Sequence, residues 1–126
     1  MDATLKNKLK QLKIEDYIWI IYIGIIFLSW YSNSLERNYY VNKDINSKKK
    51  YREIMITIFI VLLFVYFYFL KDAYNSLKNI KPTDSNKKKN LLYLSFIASL
   101  FILLSGLIFL YIAIVDEDLN VELAFN

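Results

Sequence analysis

Apolar residues fall in three unbroken runs, residues 17–31, 54–70 and 91–115, and none of the three contains Asp, Glu, Lys, Arg or His. Before and between them the chain is dense in Lys and Asn. At the rise of an α-helix, roughly 1.5 Å per residue, the third run alone exceeds the ~30 Å hydrocarbon core of a bilayer. The first two, of 15 and 17 residues, reach that length by recruiting interfacial flanks. Runs of this kind predict helices, because hydrocarbon offers no partner to a peptide group and a helix satisfies its own. The expected fold class is an all-α integral membrane protein, a single membrane domain with three transmembrane helices in a small bundle, preceded by a basic amphipathic N-terminal segment.

The flanks set the boundaries. Leu5, Leu9 and Leu12 fall at i, i+4 and i+7, with Lys6, Lys8, Lys10 and Lys13 on the remaining faces. Residues 1–16 therefore predict an interfacial segment whose lysines meet an anionic headgroup layer. The first span is expected over residues 17–35, with Trp19 and Trp30 at its two interfaces. Ser32-Asn33-Ser34 offers small residues at the spacing of a signal cleavage site. Glu15 and Asp16 abut the apolar run, however, and two tryptophans lie within it, which favours a retained span. A polar loop follows over residues 36–50, partly helical through Leu35 and Tyr39. No Gly or Pro interrupts residues 48–81, so the second helix is expected over 51–80, and Pro82 ends it by disfavouring helical geometry at Lys81. In the turn at 81–86, Thr83, Asp84 or Ser85 can cap a third helix over 87–115. An acidic tail, 116–126, closes the chain.

Charge suggests an orientation. Three spans place the N-terminus and the second loop on one side with ten Lys/Arg, against six on the side of the first loop and the tail. The positive-inside rule then puts the N-terminus in the cytoplasm and the C-terminus outside a cell membrane. Lys48, Lys49, Lys50 and Arg52 are left on the outer side, together with Asp116, Glu117, Asp118 and Glu122 of the tail, and the two groups are expected to pair. Exposed pairs of this kind contribute about 0–1 kcal/mol each, enough to arrange a surface and too little to hold a fold.

Composition removes several chemistries. With no Cys and no His, thiolate sites, zinc enzymes and histidine acid–base catalysis lose their usual residues. No catalytic, cofactor-binding or metal residue is assigned, and the chain is not expected to be an enzyme. Asp116, Asp118 and Asn120 copy the start of a calcium loop, yet Val121 stands where that loop needs glycine. Phe, Tyr, Met, Ile, Asn and Lys, whose codons are rich in A and T, supply about half the chain. This points to an AT-rich bacterial genome and weakens the net charge of +4 as a sign of nucleic-acid binding, which is not expected.

The contact surface is the more specific expectation. Ser99, Gly106 and Ala113 recur every seven residues, with Ser95 four before Ser99, and small residues on one stripe let helices approach closely in lipid. Gly24, with Ile21, Leu28 and Tyr31, is the expected matching face on the first span. Residues 66–69, Tyr-Phe-Tyr-Phe, read as an aromatic belt at the cytoplasmic end of the second.

The expected function follows from these contacts: an accessory, regulatory or structural subunit acting through the lipid bilayer, copies of itself or a larger membrane complex. In size, basic flanks and number of spans the chain also resembles bacteriocin-immunity proteins and phage holins, which would imply toxin protection or pore formation. Three-span holins end in a basic tail, from which the acidic tail here departs. Washing membranes that contain the chain with high salt and then with alkaline carbonate is expected to leave it in the pellet. Release into the supernatant would be incompatible with three spans.

Overall fold

The computed structural model describes residues 2–123. Within them the chain is all-helical: α1 covers Ala3–Asn42, α2 Ile45–Lys78 and α3 Asn86–Val115. Each is long and apolar enough to cross a membrane, which supports a membrane location. Residues 2–51 and residues 52–123 form two compact units, with the first turns of α2 in one and its body in the other.

In the first unit α1 is a single helix of 40 residues. The basic amphipathic segment is present as its opening turns, and not as a separate interfacial helix. No Gly or Pro lies between Ala3 and Ile23, so once nucleated the helix propagates through Glu15 and Asp16. Asp2 caps it, Oδ1 accepting from the Leu5 amide at 2.7 Å. That carboxylate also opposes the unfavourable field of four lysines near a helix N-terminus. A second departure lies at the other end. The loop expected over 36–50 shrinks to Lys43 and Asp44, because the polar residues on either side are helical. Lys43 takes a left-handed conformation, φ 55°, and its amide donates to the Tyr39 carbonyl at 2.8 Å. This closes α1 in the manner of a left-handed C-cap without glycine.

α1 has one buried stripe. Ile18, Ile25 and Ser32 are buried at seven-residue intervals, while Gln11, Glu15, Tyr22, Ser29, Glu36 and Tyr39, half-buried, complete a strict alternation of steps of four and three. Gly24 is not on it. A Cβ placed on Gly24 would meet nothing within 4 Å, and Ile21, Leu28 and Tyr31 are exposed. The face around Gly24 thus lies one residue, about 100° around the helix, from the buried row and is open in the single chain.

In the second unit the body of α2 and α3 form an antiparallel hairpin. α2 ends at Lys78, two residues before the expected 80, and the Ile80 amide closes the last turn on the Leu77 carbonyl at 3.3 Å. Asp84 then organises the turn, accepting from the Lys81 amide at 2.8 Å while its own amide donates to the Lys81 carbonyl at 3.0 Å. Of the three capping candidates Ser85 is the N-cap, its Oγ accepting from the Lys88 amide at 3.1 Å.

The α2–α3 contact follows the same four–three rhythm. On α2 it runs through Arg52, Ile56, Phe59, Leu63, Tyr66, Leu70 and Ala73; on α3 through Leu92, Phe96, Ser99, Leu103, Gly106, Leu110 and Ala113, all of them buried or half-buried. Phe59 stacks on Phe109 with ring centroids 5.6 Å apart, a geometry that adds about 0.5–1.5 kcal/mol beyond area. A Cβ built on Gly106 would stand 3.0 Å from Leu63 Cδ2 and 3.1 Å from Tyr66 Cδ2. Glycine therefore sets the closest approach of the two helices. Tyr66, one of the four residues expected as an aromatic belt, belongs to this contact. α2 carries a second, adjoining stripe of Tyr51, Met55, Ile58, Leu62 and Val65, all buried.

The two glycines should respond oppositely. Gly106→Leu overfills a tight contact and is expected to destabilise the hairpin by about 1–3 kcal/mol. Gly24→Ala fills open space and should be neutral or stabilising by up to about 1 kcal/mol, from helix propensity alone. Reversible unfolding of both variants in mixed micelles, followed by circular dichroism, measures the difference.

Candidate functional site

Polar chemistry gathers at four places, each inside one unit. The first is the α1–α2 corner. Asn38 Nδ2 donates to Asp44 Oδ2 at 3.0 Å and to Ser47 Oγ at 2.8 Å, while Ser47 Oγ donates to the same carboxylate at 2.9 Å. Asp44 Oδ1 accepts from the Asn46 amide at 3.1 Å, and Asn42 Nδ2 donates to Asn38 Oδ1. The first turn of α2 leaves amides without helical partners, and the Asp44 side chain satisfies that of Asn46 while the Asp44 carbonyl accepts from the Lys48 amide at 3.3 Å. Each polar group has a partner within the cluster, so the corner reads as a fastener and not as a vacant ligand site.

The second is the end of α3. Arg52 donates to the Ile114 carbonyl at 2.9 Å, placing a cation where a helix leaves its last carbonyls unsatisfied and carries partial negative charge. Just beyond, Asp116 Oδ1 accepts from the Asn120 amide at 3.0 Å and Oδ2 from the Val121 amide at 2.8 Å. Leu119 adopts a φ of 55° in this turn. The Asn120 amide above all, with the amides of Val121 and Asp118 and the charge of Arg52, holds the Asp116 carboxyl below its ordinary value of 3.8, against some desolvation. The expected meeting of loop and tail takes this form for Arg52 and Asp116: a guanidinium on a helix end beside a carboxylate occupied by backbone amides. Glu117, Asp118 and Glu122 lie along the same segment, all three exposed, and Leu123 is buried. The alternation that mimics a calcium loop is thus used to fold the tail. Among the described residues no group of three or more acidic, Cys or His side chains could hold a metal ion.

The third is the outer face of α1 near its apolar end. Phe27, Trp30, Tyr31 and Ser34 line an open cleft of about 260 Å³. Lys50 reaches it from α2, with Nζ 5.3 Å from the Tyr31 ring centre, and Lys48 lies over Tyr39 at 5.2 Å. These are cation–π distances. Lys49 is exposed beside them. The sequence reading paired Lys48, Lys49 and Lys50 with the tail and did not foresee the ring contacts of Lys48 and Lys50. The signal was there in Tyr31 and Tyr39, two turns apart at the polar end of α1.

The fourth is the opening of α1, where Lys6, Lys8, Lys10 and Lys13 are exposed around Leu5, Leu9 and Leu12, themselves 42–49% exposed. Of the stripe expected on α3, Ser99 is half-buried and Gly106 and Ala113 are buried at the contact, whereas Ser95 points away and is exposed. Ser29 Oγ, Glu36 Oε2 and Arg52 Nε are buried without a hydrogen-bond partner. None lies beside a nucleophile–base pair. Compared with protein families, with curated proteins and with solved structures, the chain matches none of them.

The Asp116 turn carries a pH test. Its folded-state pKa is lowered, so the turn is fully stabilised above the unfolded value near 3.8 and loosens as pH falls through the folded value below it. The Asp116 carboxyl carbon and the Asn120 and Val121 amides, followed by NMR in micelles, should titrate together with a midpoint under 3.8. Asp116→Asn should abolish the amide transition.

Proposed function

We propose that this chain is a multi-pass protein of a bacterial cell membrane, with its N-terminus in the cytoplasm, and that it serves as an accessory or regulatory subunit through helix and lipid contacts. One observation carries the reading: α3 uses one stripe on α2 and leaves another open. Ser95, Ala98, Ile102 and Ser105 lie along the exposed side at steps of three and four. Exposed leucine is at ease in hydrocarbon, but small and hydroxylated residues gain from a neighbouring helix that approaches closely. The polar side chains elsewhere cap helices, fasten the corner and fold the tail, and they form no arrangement suited to bond-breaking chemistry.

The orientation rests on the excess of Lys/Arg at the N-terminus and the α2–α3 turn. Because the chain lacks cysteine, single cysteines report cleanly. Lys43→Cys at the corner is expected to react with a membrane-impermeant maleimide on intact cells, and Ser85→Cys only after permeabilisation.

The contact role is tested by mild-detergent extraction of tagged chain after cross-linking. A defined species larger than the monomer is expected, and Ala98→Leu should remove it while leaving the α2–α3 hairpin as stable as before. A chain that stays monomeric and instead depolarises the membrane on expression would replace this reading with a pore-former. One that protects cells from a peptide toxin would replace it with an immunity role.

A further inference from the structure

We propose that the outer face of α1 from Phe27 to Arg37 binds one anionic glycerophospholipid, its phosphate held between Lys50 and Arg37 and its upper acyl chain lying in the aromatic cleft. The site rests on the membrane location of α1 and is independent of any protein partner.

The cleft grades in polarity along the helix. Phe27 and Trp30, 62% and 72% exposed, form its floor and one wall, and Tyr31 and Ser34 complete it. Lys50 stands over the Tyr31 ring. Arg37 is exposed, three residues beyond Ser34 and seven beyond Trp30, so it lies on the same helix face. From Phe27 to Arg37 the helix rises about 15 Å. That distance takes the face from hydrocarbon, past the level where Trp and Tyr rings settle, to the phosphate layer. A phospholipid presents the same sequence of groups: methylene chain, ester, phosphate.

Charge chooses the headgroup. Two cations near one phosphate favour a lipid with net negative charge, whereas a choline headgroup brings an ammonium that both side chains repel. Ser34 adds shape and not binding, since its hydroxyl hydrogen is committed to the Tyr31 carbonyl at 2.6 Å. Its small side chain leaves the gap into which the ester region fits.

The two tryptophans make the test direct. Trp19→Phe leaves Trp30 as the sole fluorophore, inside the proposed site. The full chain is reconstituted into phosphatidylcholine vesicles that contain an equal small fraction of brominated phosphatidylglycerol or brominated phosphatidylcholine. Quenching of Trp30 should show a preference for the anionic lipid of about fivefold per participating cation. The preference should vanish in Arg37→Gln/Lys50→Gln and persist in Arg37→Lys, with helical circular dichroism unchanged in both. Millimolar inorganic phosphate should not displace the lipid.

Equal quenching by the two lipids would overturn the proposal, leaving an ordinary aromatic belt. The same preference at Trp19 in a Trp30→Phe chain would also overturn it, as general enrichment around a basic protein. Displacement by inorganic phosphate would reassign the site to a free anion.

Discussion

Helices in hydrocarbon gain little by hiding leucine from lipid, so their association has to come from close fit along matching ridges. The structure meets this constraint with one geometric rule repeated in each helix. Buried positions recur at alternating steps of four and three, once along α1, once along α3 and twice, side by side, along α2. Such steps average 3.5 residues, close to the 3.6 of a helical turn, so each row stays on one face of its own helix. Gly106 shows the rule at its tightest. There the seam closes until a single methyl group would touch Leu63 and Tyr66.

Polar residues serve a different end. Two hydroxyls on the long helices turn back on their own backbone, Ser32 donating to the Ser29 carbonyl at 2.8 Å and Thr57 to the Glu53 carbonyl at 2.9 Å. Elsewhere, side chains meet the helix termini: Asp2 and Ser85 at N-termini, Asp44 at the corner, Arg52 at the carboxyl end of α3. Such ends leave up to four amides or carbonyls without partners. A chain of long helices and few loops concentrates its polar demand there. This explains why Asn, Asp and Ser cluster at residues 38–47 and 79–86.

The sequence was legible where a rule depends on length or on a breaker. Three apolar runs without a charge define three spans, and Pro82 with the Asp84-Ser85 pair defines the second turn to within two residues. It was less legible where one polar stretch could be loop or helix. Residues 36–50 are rich in Asn, Lys and Ser, yet they contain no Gly or Pro, and helix propagates through them to a corner of two residues. The placing of a stripe also depends on phase: Gly24 is small, but the buried row passes through Ile25. Small size licenses close approach only when the seam runs there, and Gly106, Ser99 and Ala113 satisfy that condition where Ser95 does not.

The short corner has a geometric consequence. From Tyr31, the last residue of the first apolar run, α1 climbs another eleven residues before Lys43 turns it back, about 17 Å of water-facing helix. The opening turns of α2 return beside it. Within the first unit these paired helix ends are tied at their tip by Asp44 and lower down by the Lys50–Tyr31 contact. At that tip Asn42, Lys43 and Asn46 are all exposed, so the end of the helix pair presents amides and an ammonium.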